Sequence, residues 1–447
     1  MAYTQLTFAQ LVTALSIRLG DAGKIFWIEA ELESYLKEAL RTWQAFSQFT
    51  AAQGSFNTAA NTRFYDIYAQ IPALQPTITD QDILQDIQRA LQEPVSATSW
   101  PGNTDQFSLA GVTAAIQKRR DKFFIETGMY QSFSEVTGPT VGVAELELNQ
   151  ATIDVRRAAY KTGGIYNLLW PADTFMLTAG SQTWASVDGP PTDYTTFFGT
   201  PPTILVAPAP SAATSFLNLI TVDSGADLDP ASGPTVLGVP DDFCWIIKFG
   251  ALADLLGQDG PGQDVGRANY CESRWEDGLK LARITSFVRL GYSTGTPSFL
   301  SSMEELDSTD PDWMNEAAGT PESIALSGNI LATQPIPNGV YAMSFTIVPK
   351  FPVPVLTTDY IQVGQELVDS ILDYAQHLAA FKEGDGSIQD TMPNYQSLVK
   401  QAALENDILR ARATDFDVLS DRETLEAKER PRRRSDIIQQ TAAPLQS

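Results

Sequence analysis

Ala251-Leu252-Ala253-Asp254-Leu255-Leu256 runs into Asp259-Gly260 and then Asn269-Tyr270. Tyr374-Ala375-Gln376-His377-Leu378-Ala379 likewise runs into Asp385-Gly386 and then Asn394-Tyr395. Each stretch is an apolar helical run, an acidic glycine turn and a second helical run. Two helices joined by a short loop pack antiparallel. The spacing therefore predicts one helix hairpin over 241–290 and a duplicate over 360–413, with a four-helix core built from the two. Cys244 and Cys271 stand equally far from the centre of the first turn. They are expected at one level of that hairpin, as neighbouring reduced thiols.

Working outward, the N-terminal stretch reads as two more helices. Thr7 caps the first, with Leu11, Leu15 and Leu19 on one face, and Gly20-Asp21-Ala22-Gly23 breaks it. The second runs from Trp27 to Phe49, with Ile28, Leu32, Leu36, Ala39, Leu40 and Trp43 at helical spacing. Thr79 or Asp80 opens a helix over 81–92, and Ser108 opens a longer one to Thr127 that carries Lys118-Arg119-Arg120-Asp121-Lys122. Residues 144–160 have period-two character and predict a pair of strands, after which Trp170-Pro171 starts a short helix. Recurrent Pro and Gly across 180–238, with apolar runs at Thr203–Val206 and Phe216–Val222, predict a small β-rich insertion.

The predicted fold class is mainly α, a helical bundle built from helix hairpins with inserted β-rich segments, α+β overall. Residues 1–179 are read as a helical core with a strand pair near 144–160, and 180–238 as the β-rich insertion. The first hairpin occupies 239–290. An irregular acidic segment and a β-like stretch fill 291–357, the second hairpin 358–414 and an extended docking arm 415–447.

Of 447 residues, 43% are hydrophobic and 19% charged, which suits a packed core. The net charge of -24 argues against a general nucleic-acid clamp, whose footprint is a basic surface. No apolar run approaches the ~20 residues that span a bilayer, and the N-terminus is read as lacking a signal peptide. With only two cysteines, a reducing cytoplasm is the expected site of synthesis.

A search for chemistry finds little. His377 is the one histidine, and its place inside a predicted helix reads as structural. No clustered Cys/His ligands, P-loop or dinucleotide fingerprint is present, so no metal, no cofactor and no enzymatic activity are expected. The run Glu304, Glu305, Asp307, Asp310, Asp312 lacks the calcium-loop pattern and reads as a solvated acidic loop. The arm is different. Lys428-Glu429-Arg430-Pro431-Arg432-Arg433-Arg434 is basic against an acidic body, and Ile437-Ile438 follow as an apolar anchor. Arg430, Arg432, Arg433, Arg434, Ile437 and Ile438 are the candidate partner-binding residues.

Three stretches resemble the head-to-tail adaptor, or connector, proteins of tailed bacteriophages. They are Leu6–Trp43, with Arg18-Leu19-Gly20-Asp21 and Glu31-Leu32-Glu33-Ser34-Tyr35-Leu36; Lys118–Phe123; and Val239–Trp275, with Val239-Pro240-Asp241-Asp242-Phe243. Together they make up less than a fifth of the 447 residues. The resemblance implies a structural virion protein that forms a ring, usually twelvefold, beneath the portal. Such a ring extends the DNA channel and joins the tail. Its implied partners are other copies of the chain, the portal protein, tail or nozzle proteins, and genomic double-stranded DNA in transit without specific binding. The implied location is the virion neck, after assembly in the bacterial cytoplasm, and the segment 415–447 is implied to dock toward the portal. The β-rich stretches near 180–238 and 339–351 and the chain length depart from the family pattern. They leave open a decoration or host-binding role for the β insertions. A carboxylate-based hydrolase is a further alternative.

Overall fold

The computed structural model of the chain describes residues 5–100, 107–180, 182–212, 215–285, 288–293, 296–383 and 385–406. In chain order the elements begin with α1 (Phe8–Arg18), α2 (Glu29–Ser47), β1 (Ala52–Asn57), β2 (Phe64–Asp66), α3 (Ile67–Gln70), α4 (Asp80–Ala90) and α5 (Leu109–Thr127). Next come β3 (Ser132–Thr137), β4 (Glu145–Glu147), β5 (Thr152–Thr162), β6 (Ile165–Pro171), α6 (Thr174–Gly180), β7 (Asp188–Gly189), β8 (Asp193–Phe197), β9 (Thr203–Ala207), β10 (Ala209–Pro210) and β11 (Ser215–Asp223). The chain continues with α7 (Cys244–Leu256), α8 (Val265–Ile284), β12 (Val288–Ser293), β13 (Thr296–Ser302) and α9 (Met303–Thr309). It ends with β14 (Ser323–Ser327), β15 (Ile330–Gln334), β16 (Ala342–Ile347), α10 (Gln365–Glu383) and α11 (Asp385–Glu405).

The chain divides into two compact units, one from Met1–Phe49 and Pro352–Ser447, the other Thr50–Phe351. In the first, α2 packs against α10 and α11, and α1 against α2 and α10. Leu11, Leu15, Leu32, Leu36, Trp43, Ile371, Tyr374 and Leu398 fill the middle. Lys382 and Glu31 form a buried ion pair at 2.8 Å, and Arg18 bonds Asp369 and Asp373.

The second unit holds another helical bundle, α4, α5, α7 and α8, and two seven-stranded sheets. The sheets have one topology. Their orders are β1-β16-β12-β13-β14-β15-β2 and β3-β11-β5-β6-β8-β9-β4. With the strands of each sheet lettered a to g along the chain, both read a-g-c-d-e-f-b. In both, strands d and e are parallel (β13 with β14, β6 with β8) and every other pair is antiparallel. Each sheet also curls so that its two edges approach. β1 and β2 are joined by a short loop, and the Phe56 and Tyr65 rings meet across it at 5.1 Å. In the other sheet, Val136 of β3 and Leu146 of β4 pack on one apolar core. Curling brings both edges under one core and leaves little open edge to recruit foreign strands.

The helices repeat as well. α1 and α4 each have 11 residues and a threonine capping box, at Thr7 and Thr79. α2 and α5 each have 19 residues and end on a left-handed residue, Gln48 and Gly128. Thr7 bridges Tyr360, and Thr79 bridges Val236. Phe8 N bonds Asp359 O at 2.8 Å, and Asp80 N bonds Thr235 O at 2.9 Å. One pattern thus occurs twice: two helices, a curled seven-stranded barrel, two helices. The inner copy, from Ile78 to Ile284, is inserted whole between β2 and β12 of the outer copy.

The expectation of a mainly α helical bundle is therefore wrong; this is a mixed α/β chain whose larger unit centres on two seven-stranded sheets. The strands escaped notice because their partners are remote: β1 pairs with β16 about two thirds of the chain length away. Residues 291–327, expected to be irregular, contribute to β12, β13 and β14. The strands near 144–160 do not pair with each other, since β4 joins β9, and β5 lies between β11 and β6. Both predicted hairpins form, but α7–α8 packs on α5 and α10–α11 on α2, in separate units, so they do not share a four-helix core.

The cysteine register is also corrected. A Cβ on Gly278 would meet Ile246, one on Gly250 would meet Trp275, and one on Gly257 would approach Ala268. This register puts Cys244 opposite the end of α8, roughly nine residues or ~14 Å along the helix from Cys271. The turn between α7 and α8 is longer than its Asp259-Gly260 core suggests. Both thiols are free and buried, and burial pushes Cys271 up to about 12.

Candidate assembly surface

The two barrels share one distinctive connection, between strands d and e. In the outer barrel it is α9 followed by the 3-10 turn Trp313–Asn315. The Ser302 hydroxyl caps α9 by accepting from Glu305 N at 3.0 Å. Met303, Leu306, Trp313 and Met314 are buried with Ala325, Ile330 and Ala332 of their own barrel and with Ala159 of β5 and Ile220 of β11, beside Phe64, Phe133 and Tyr166. The outer barrel's connector is thus docked on the outward face of the inner barrel.

Polar chemistry fixes its register. Arg157 of β5 donates to both Asp307 oxygens, at 2.7 and 2.8 Å, and Trp313 Nε1 donates to Asp307 Oδ1 at 2.7 Å. The Arg157 and Arg63 guanidiniums lie 5.4 and 5.0 Å from the Trp313 ring centre. Burial, with Arg157 nearby, pulls Arg63 down to about 10. Asn315 brackets Tyr166, accepting from its N at 2.7 Å and donating to its O at 2.8 Å. A buried pair with this many partners specifies one docking geometry.

In the inner barrel the same connection is α6 followed by the 3-10 turn Trp184–Ser186. Asp173 takes the place of Ser302, accepting from Met176 N at 2.6 Å. Leu177 stands where Leu306 does, and Trp184 where Trp313 does. Among the described residues nothing is docked here. No residue of α6 is buried, Phe175 is 78% exposed and Met176 64% exposed. Trp184 Nε1 turns back to Thr178 Oγ1 at 3.3 Å. Beside the connector lies an open cleft of about 610 Å³, lined by Pro171, Met176, Leu177, Trp184, Val187 and Asp193 among others. Trp170 and Phe197 are also exposed on this barrel. Isolated exposed apolar residues are ordinary, but a helix that buries none of its apolar side chains reads as half of an interface.

The residues singled out from the sequence fall elsewhere. Arg430, Arg432, Arg433, Arg434, Ile437 and Ile438 lie outside the described residues. His377 sits buried on α10, with Nδ1 2.8 Å from Thr391 Oγ1 and its ring beside those of Tyr374 and Tyr395. The acidic run disperses: Glu304 and Glu305 occupy the first turn of α9, Asp307 holds Arg157, and Asp310 accepts from Gln334. Among the described residues no three Cys, His, Asp or Glu side chains gather as metal ligands. Lys118 and Arg119 both reach Asp254, and Arg119 also bonds Glu272. Burial opposes the Arg119 charge, but those hydrogen bonds outweigh it and raise its affinity for the proton.

Sequence reasoning missed Phe175, Met176, Trp184, Trp313 and Arg157. A signal was present. Asp173 and Ser302, Leu177 and Leu306, and Trp184 and Trp313 are each separated by one and the same chain interval. No family model matches the chain, and no curated protein matches it.

Proposed function

We propose that this chain is a structural subunit of a tailed-phage particle, a head-to-tail adaptor that acts as one copy in a ring beneath the portal. The observation that carries the reading is where the adaptor-like stretches fall. Leu6–Trp43 builds α1 and α2, Lys118–Phe123 lies in α5, and Val239–Trp275 builds α7 and much of α8. All three belong to the helical frames that the chain uses twice. In this reading the bundles hold the ring, the barrels supply lateral and tail-side contacts, and the arm locks onto the portal. The acidic balance of the chain suits DNA that passes without sticking.

The reading is tested by purifying the full chain and measuring its mass in solution across a concentration series, with immunogold labelling of virions. Closed oligomers and label at the neck support it. Label at the particle periphery supports the decoration role. A chain that stays monomeric and is absent from virions defeats it.

A further inference from the structure

We infer that the α6–Trp184 connector of the inner barrel docks on the outer barrel of a second copy of this chain. The inference rests on the ring reading above. Its argument is the contact already made inside the molecule. The α9–Trp313 connector shows what this element binds: the outward face of strands a, g and c of a barrel of this topology. Each chain has two connectors and two such faces. The outer connector fills the inner face. Among the described residues the inner connector and the outer face are left over, and a neighbouring copy can join them.

The positions correspond residue by residue. Phe133 and Ile220 are register partners on the inner face, three residues before and after the inward-facing pair Val136 and Leu217. Gln53 and Thr346 are the matching partners on the outer face, three residues before and after the inward-facing pair Phe56 and Met343. Gln53 and Ser55 are exposed, and Ser344 and Thr346 half-buried. The charges match too. Asp307, which pairs with Arg157 in the internal contact, is replaced by Thr178 in the inner connector. The described outer-face positions Gln53, Ser55, Ser344 and Thr346 carry no charge either. At these described positions no charge would be stranded on docking. Leu177 and Trp184, at the positions of the buried Leu306 and Trp313, supply apolar anchors, with Phe175 and Met176, at the positions of the exposed Glu304 and Glu305, on the rim. Such a contact is heterologous, inner connector to outer face, and a repeated heterologous contact closes a ring when its rotation permits.

The test uses the full-length chain with single substitutions at exposed positions, Phe175→Cys and Gln53→Cys, oxidised with copper-phenanthroline. Mixing the two variants is expected to give a cross-linked dimer that neither gives alone; the native cysteines are buried. Trp184→Ala is expected to raise the concentration for half-assembly at least about tenfold, with an unchanged circular dichroism spectrum and a melting temperature lowered by no more than a few degrees. Oligomers that assemble normally with Trp184→Ala and give no mixed cross-link would overturn the inference while leaving the ring reading in place. A Phe175→Cys cross-link only to itself, or only to a different virion protein, overturns it too. A wild-type chain that never self-associates removes both.

Discussion

Trp313 and Trp184 occupy one position in two copies of one barrel, yet their alanine substitutions should behave differently. Trp313 is fully buried, and its indole donates to a carboxylate that also holds Arg157. Removing a buried tryptophan costs about 3–5 kcal/mol. Loss of the indole donor to Asp307 contributes ~1–2 kcal/mol within or above that range. Trp184 is only half-buried, and its one hydrogen bond, at 3.3 Å, reaches an exposed threonine. Its loss should cost about 1 kcal/mol or less. At about 2–4 °C per kcal/mol, Trp313→Ala should lower the melting temperature by roughly 10 °C and Trp184→Ala by a few degrees. Urea titrations of both variants below the assembly concentration, followed by far-ultraviolet circular dichroism, measure the difference. Equal losses would refute the claim that one connector is docked and the other bare. Trp184→Ala should instead weaken assembly.

Three further outcomes follow from packing and charge. Lys382→Met leaves Glu31 buried without its cation and should cost about 3–5 kcal/mol, much of it regained when Glu31→Leu is added; a full, unrelieved cost in the double variant would contradict the pairing. A Cβ at Gly278 would fall 2.5 Å from Ile246, so Gly278→Ala should destabilise by about 1–3 kcal/mol, although an open helix site would gain ~1 kcal/mol; a raised melting temperature would show that α7 and α8 are less close than described. Burial raises the Asp254 carboxyl, but hydrogen bonds from Arg119 and Lys118 outweigh it and hold it below its ordinary value of 3.8. A carboxyl lowered in the fold stabilises above the unfolded value, and that contribution fades as pH falls below 3.8 toward the folded value. Asp254→Asn should therefore flatten the acid limb of stability as pH falls below 3.8, and an equally steep limb would contradict this.

The helices were legible in the sequence, and most of the sheet was not. Leu11 and Leu15, and Leu32, Leu36 and Trp43, follow a local period and are buried as that period implies. Strands offer no such local record here. β13 opens with Thr296-Pro297, β10 ends on Pro210, and several others are two to five residues long, so Pro and Gly read as breakers. Nesting hides the pairing further. β15 closes on β2, although the entire inner copy lies between β2 and β12 in the chain. The duplicated hairpin was visible, but the repeat it belongs to was not. The two helices that open each copy lie far from the two that close it, with a barrel between. The candidate surface was hidden for another reason. Phe175 and Met176 look like core residues by type, and only the bare placement of α6 shows that the described residues do not cover them.

The most direct test of the central claim is averaging of particle images, for the purified full-length chain and for the virion that carries it. The account expects closed rings in which each inner barrel meets the outer barrel of its neighbour, and the same ring between portal and tail. Single copies at every concentration, with no matching ring at the neck, would contradict it.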